Sequence, residues 1–113
     1  MSILTVNLES GMPTVDTAIS RMSQAIRSAK AQRLAAVKLI HGYGSSGSGG
    51  RIKAEVHRRL SAMKNTGMVK EFVSGEDFSP FDAAARRAIG LCPELSRDRD
   101  YSRCNHGITV VVL

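Results

Sequence analysis

No stretch of this chain approaches the ~18 consecutive apolar residues that a membrane-spanning helix requires, so no membrane partner is expected. Met1-Ser2-Ile3-Leu4-Thr5 has neither the basic start nor the apolar centre of a secretory leader. Two cysteines, Cys92 and Cys104, are too few for a disulfide framework. These absences point to a reducing, cytoplasmic setting. Tryptophan is missing and aromatics are few, yet the hydrophobic share is that of an ordinary globular chain. Acid is also scarce: 10 Asp and Glu face 16 Lys and Arg, for a net charge of +6. Such an excess favours polyanionic partners, nucleic acid among them. It is unevenly spread. Residues 1–75 hold eleven basic and four acidic side chains, whereas residues 76–113 hold five and six. At 113 residues the chain suits one domain, 1–113, with a modest core.

Residues 3–8 alternate as a strand, with Leu4, Val6 and Leu8 on one side. Gly11 and Pro13 end it. Thr14 suits a helix N-cap and Asp16 its first turn. From there to about Lys30, Val15, Ala18, Ile19, Met22, Ala25, Ile26 and Ala29 form an apolar stripe. Residues 34–40 are apolar except for Lys38, as in a centrally buried strand. A second helix is expected from Arg51 to about Lys64. Ile52, Val56, Leu60 and Met63 would face inward, and Arg51, Lys53, His57, Arg58 and Arg59 would crowd the remainder. Asn65-Thr66-Gly67 ends it, and residues 68–73 read as a third strand.

Residues 75–105 change character. Pro80 and Pro93 interrupt, and Arg97-Asp98-Arg99-Asp100 alternates in charge. Residues 81–91 suit a short helix with Phe81, Ala84, Ala85, Ala88 and Ile89 on its apolar side. Residues 107–113 form the last strand. The order β-α-β-α-β-β, with an insertion at 75–105, predicts an α/β (α+β) fold: a two-layer sandwich with a mixed four-stranded sheet. Two crossovers would make the first three strands parallel, with both helices on one face. The last strand would return antiparallel, and the insertion or a partner would cover the other face.

Function is sought first at the second strand's end, where His41-Gly42-Tyr43-Gly44 and a glycine–serine run lead into Arg51-Ile52-Lys53. A glycine loop opening into a basic helix offers backbone N–H groups to an anion, above all phosphate. His41 stands there either as a phosphate contact and proton carrier or as a structural peg bonded to backbone. Gly42 and Gly44 permit positive φ or close backbone approach, for a ligand or simply for a tight turn. Tyr43 is either a stacking platform for a base or a partly buried loop aromatic. Arg51, Lys53, Arg58 and Arg59 suit a phosphate-contacting face. The run 45–50 would be flexible until a ligand orders it.

Two nucleotide motifs are only partly spelled. Gly42-Tyr43-Gly44-Ser45-Ser46-Gly47 matches G-x-G-x-x-G, with Glu71 further on. However, Ser48-Gly49-Gly50 separates its third glycine from the helix, and too few strands follow for a dinucleotide fold. Gly50-Arg51-Ile52 lacks the Gly-Lys-Ser/Thr of a Walker loop. No cofactor is expected. Cys92, Cys104 and His106 include no close cysteine pair and no evident fourth ligand, so no metal is expected either.

The order of blocks resembles the Smr (small MutS-related) domain family. His41-Gly42-Tyr43-Gly44 matches its central His-Gly-x-Gly motif, with Val37, Leu39 and Ile40 as the apolar lead-in. Gly107-Ile108-Thr109-Val110-Val111-Val112 matches its closing Gly-x-Thr-x-Val strand. The resemblance implies binding of nucleic acid, DNA or RNA, and in some members nicking or cleavage by an endonuclease. Nucleic-acid contacts are then expected at His41, Gly42, Tyr43, Gly44, Arg51, Lys53 and Arg58, the loop and basic helix read above. The family's opening Leu-Asp-Leu-His-Gly is replaced by Val6-Asn7-Leu8-Glu9-Ser10. Asn7 is no general base, and Glu9 does not reproduce an imidazole near neutral pH. Glu9 and His41 are therefore the candidate catalytic pair if the chain is an endonuclease. The remaining alternative is a protein-interaction module whose recognition surface is the charged insertion.

Overall fold

The computed structural model describes residues 3–44 and 50–113. Its elements are β1 (Ile3–Asn7), α1 (Val15–Ala31), β2 (Ala36–Ile40), α2 (Gly50–Asn65), β3 (Glu71–Ser74), α3 (Ala83–Leu91) and β4 (Ile108–Val112). Short 3-10 turns at Gly75–Asp77 and Pro93–Arg97 flank α3. The sheet order is β1-β2-β4-β3. β1 is parallel to β2, and β4 runs antiparallel to both of its neighbours. This is the expected mixed four-stranded sheet, with β2 in its interior.

Leu4 and Val6 of β1, and Leu8 just after it, pack against the stripes of α1 and α2 on one face. Thr14 caps α1, its hydroxyl accepting the Thr17 N–H at 3.1 Å. Ala18, Ile19, Met22, Ala25, Ile26 and Ala29 are buried, as their spacing requires. Both helices end alike. The Leu34 N–H reaches the Ala29 carbonyl and the Met68 N–H the Met63 carbonyl, so Leu34 and Met68 close helices instead of opening strands. For that reason β2 and β3 start later than the apolar runs suggest.

The sheet's other face is covered by the insertion, which adds a third layer to the expected two. Val73, Val110, Val112 and Ala36 pack there against Phe78, Ala85, Ala88, Cys92 and Leu95. Phe78 and Leu95 are fully buried, each contributing about 2–3 kcal/mol, so this segment is a packed layer rather than an ornamental loop. Within it, Asp82 accepts the Ala85 N–H at 2.9 Å and starts α3 at Ala83. Phe81 thus falls outside the helix and is 90% exposed, contrary to its expected place on the apolar side. The residue a helical turn beyond it, Arg86, gives its ring no apolar partner.

Candidate functional site

The strand register gathers the site at one end of the sheet. Asn7 pairs with Ile40, Ile40 with Ile108, and Ser74 with Thr109. The 41–44 loop, the turn after β1 and the turn after β3 therefore leave from the same edge. His41 and Gly42 are clamped to β4, both their N–H groups donating to the Gly107 carbonyl at 3.0 Å.

His41 is buried and fully committed. Its Nδ1 lies 3.0 Å from the Gly42 carbonyl and its Nε2 2.9 Å from the Thr109 hydroxyl. A carbonyl can only accept, so Nδ1 carries the hydrogen. Burial pushes the imidazole below its ordinary pKa, helped by His57 and Lys53 against the opposing Gly42 bond and Glu76. In the neutral ring Nε2 accepts from the Thr109 hydroxyl. That oxygen in turn lies 2.9 Å from His57 Nε2, which donates to it. His57–Thr109–His41 is one directed chain. Burial, then Lys53, also holds the His57 pKa low, against Glu76 and Asp77. This geometry matches the structural-peg alternative for His41, since neither ring nitrogen is left for a substrate.

Beside His41 opens a cleft of about 410 Å³, lined also by Glu9, Met12, Gly44, Gly50 and Arg51. The two candidate catalytic residues are thus brought together. Glu9 is held by its neighbours: its N–H donates to Asn7 Oδ1 at 2.9 Å. Arg21 donates to the Leu8 carbonyl at 3.3 Å and the Ser10 carbonyl at 2.7 Å. Gly42 lies directly under the Glu9 carboxylate, where any Cβ would collide with it. Gly42, Gly44 and Gly50 have φ of 80°, 67° and 64°, a conformation that glycine alone adopts without strain. Arg51 is exposed at the cleft, and the first turn of α2 holds no acidic residue.

The expected phosphate face of α2 divides. Lys53 is buried and donates to Glu76 Oε2 at 2.6 Å, so it is not an exposed contact. His57 is likewise turned toward the sheet. Arg58 and Arg59 are exposed but share Glu55, whose pKa they draw down to about 2, Arg58 foremost. Tyr43 is 52% exposed. The run 45–49, including Gly47 of the G-x-G-x-x-G spelling, lies outside the described residues. Glu71 sits at the opposite end of the sheet, paired with Lys64 and Arg87, where it has no part in the glycine loop. Cys92 and Cys104 are free thiols, and no cluster of metal-ligating side chains occurs among the described residues. No helix there is long and apolar enough to cross a membrane.

Sequence spacing missed Thr109 and His57 as site residues. Only the Thr of the closing strand motif hinted at the first, and nothing local marked the second.

This sheet order and loop placement define a known class. The Smr domain family model matches residues 10–78, and the chain belongs to that family. The crystal structure of the Smr domain of Thermus thermophilus MutS2 shares the fold. It is 24% identical with a TM-score of 0.60, over 97% of this chain and 96% of that one. No curated protein matches the chain.

Proposed function

We propose that this chain acts as a single nucleic-acid-binding Smr domain that holds phosphates at the cleft between the turn after β1 and the start of α2. One observation carries the proposal. Two left-handed glycines, Gly44 and Gly50, and a helix start without acid converge on a cleft where Arg51 is exposed. Gly44 and Gly50 present backbone to a ligand with no side chain of their own, and the helix dipole favours negative charge. The His57–Thr109–His41 chain contributes by fixing the loop. DNA and RNA present the same phosphates, so the affinity is expected to depend little on sequence.

Glu9 opposes an anion in this cleft, which gives a direct test. Glu9→Gln should tighten binding to duplex DNA by several-fold, since one like charge is removed. Gly44→Val, with net charge unchanged, should weaken it by blocking the backbone. A folded Gly44→Val protein of wild-type affinity would remove the loop from the site.

Phosphodiester cleavage on the same surface is the second reading, because Glu9 and His41 line one cleft. With both His41 nitrogens engaged and Asn7 unable to act as a base, turnover is expected to be weak or absent. Nicking of supercoiled plasmid by purified protein, abolished in Glu9→Gln, would establish cleavage instead. A protein-recognition role for the insertion would be tested by substituting its exposed side chains, because its buried ones form the layer over the sheet's other face.

A further inference from the structure

Arg97-Asp98-Arg99-Asp100 looks self-cancelling in sequence, but the fold separates its signs. Asp98 and Asp100 turn inward onto the Lys38 ammonium, the first at 2.9 Å and the second in direct ion pair. Asn105 donates to Asp100 Oδ1 at 2.9 Å. Arg97, Arg99 and Arg103 are exposed, and no ion pair among the described residues holds them. A region with more acid than base by composition thus presents an arginine-lined outer surface.

That surface meets the glycine loop. Tyr43, Arg99, Asp100, Arg103 and Asn105 line a second cleft of about 420 Å³. Tyr43 belongs to the same four-residue turn as His41 and Gly44 of the first cleft. Gly107 backs its ring, since a Cβ there would lie 3.4 Å away. Asp100, the acidic group in the lining, is already compensated by Lys38.

We propose that this second cleft binds one unpaired nucleotide of a single strand, its base stacked on Tyr43 and its phosphate between Arg99 and Arg103. The inference rests on phosphate binding at the first cleft and extends it across the 41–44 loop. An exposed aromatic face flanked by guanidinium groups is the combination that holds single strands without reading sequence. A base inside a duplex cannot offer its face to the tyrosine. The volume is within the range of small-ligand sites, about 300–1,000 Å³.

The test uses oligo(dT) and oligo(U) of about a dozen nucleotides, beside a blunt DNA duplex, with affinity measured against salt. Tyr43→Ala should lose about 5- to 150-fold on the tighter-bound single strand, the equivalent of one base stack. It should cost the duplex much less than the single strand, and Tyr43→Phe should bind as the wild type. Arg99→Gln with Arg103→Gln should flatten the single-strand salt slope by about 0.7, the share of one phosphate. Wild-type affinity in the Tyr43→Ala and double-arginine variants, with Arg51→Ala still weakened, would overturn this site and leave the first cleft standing. Equal loss on duplex and single strand, or loss in Tyr43→Phe, would also overturn it. Failure of the wild-type protein to bind any of the three probes would overturn both clefts.

Discussion

The hydroxyl of Thr109 has one hydrogen to give and two imidazoles to satisfy, His41 and His57. Thr109→Val keeps the shape and removes that link, leaving the Nε2 atoms of both His41 and His57 without it. The expected cost is about 2–3 kcal/mol in urea unfolding, with most of it restored by Thr109→Ser. The same two rings set a pH dependence. Burial holds both native pKa values below the ordinary histidine value of about 6.5. In the window just below it, the unfolded chain therefore binds more protons than the native one. Their contribution is present above pH ~6.5 and is lost as pH falls through the native pKa values. The urea midpoint should fall between pH ~7.5 and ~5.5, and a flat profile would contradict the assignment. Glu76 and Asp100 do not enter this window. Burial opposes their charge, but Lys53 for the first, and Asn105 and Lys38 for the second, hold both below the carboxylate range. Their contribution is lost only below about pH 4.

At the level of elements, α1 and α2 share a C-terminal motif but differ in its left-handed residue. Gly67 takes φ 82° after α2, whereas Arg33 takes φ 59° after α1. Arg33→Gly should relieve that strain and raise stability by about 0.5–1 kcal/mol, the added freedom of the unfolded chain offsetting part of the gain. A destabilised variant by thermal unfolding would contradict the cap. Much at this scale is legible in the sequence. The three-and-four spacing of α1, the Thr14 cap, the apolar β2 and the turn at Gly67 each record a local physical requirement. Lys53 and His57 are not legible so. On a helix wheel they belong with the charged residues, and only Glu76 and Thr109, 23 and 52 positions away, turn them inward. The glycine loop was findable because its own residues demand positive φ. The peg beneath it was not, because it spans strands distant in sequence. Asp98 and Asp100 fail in the same way: alternation suggests solvation, and a lysine 60 positions from Asp98 decides otherwise.

For the whole molecule, that lysine joins the central strand to the insertion. Burial works against the Lys38 charge, but Asp100 and Asp98 outweigh it and keep its pKa above the ordinary value. Lys38→Met should cost about 3 kcal/mol, because two carboxylates are left poorly compensated under the sheet. Adding Asp98→Asn and Asp100→Asn should recover part of that loss, and no recovery would show that packing alone holds the insertion. The molecule thereby sets Arg51 on one side of the glycine loop and Arg99 and Arg103 on the other, while Asp98 and Asp100 are held inward by Lys38. The most direct measurement of this account is the salt dependence of duplex DNA binding in wild type and Arg51→Ala. With roughly four phosphates contacted, log K against log salt should have a slope of about −3.6 in the wild type. Arg51→Ala should bring it to about −2.7. An unchanged slope in a folded Arg51→Ala protein would contradict the phosphate cleft.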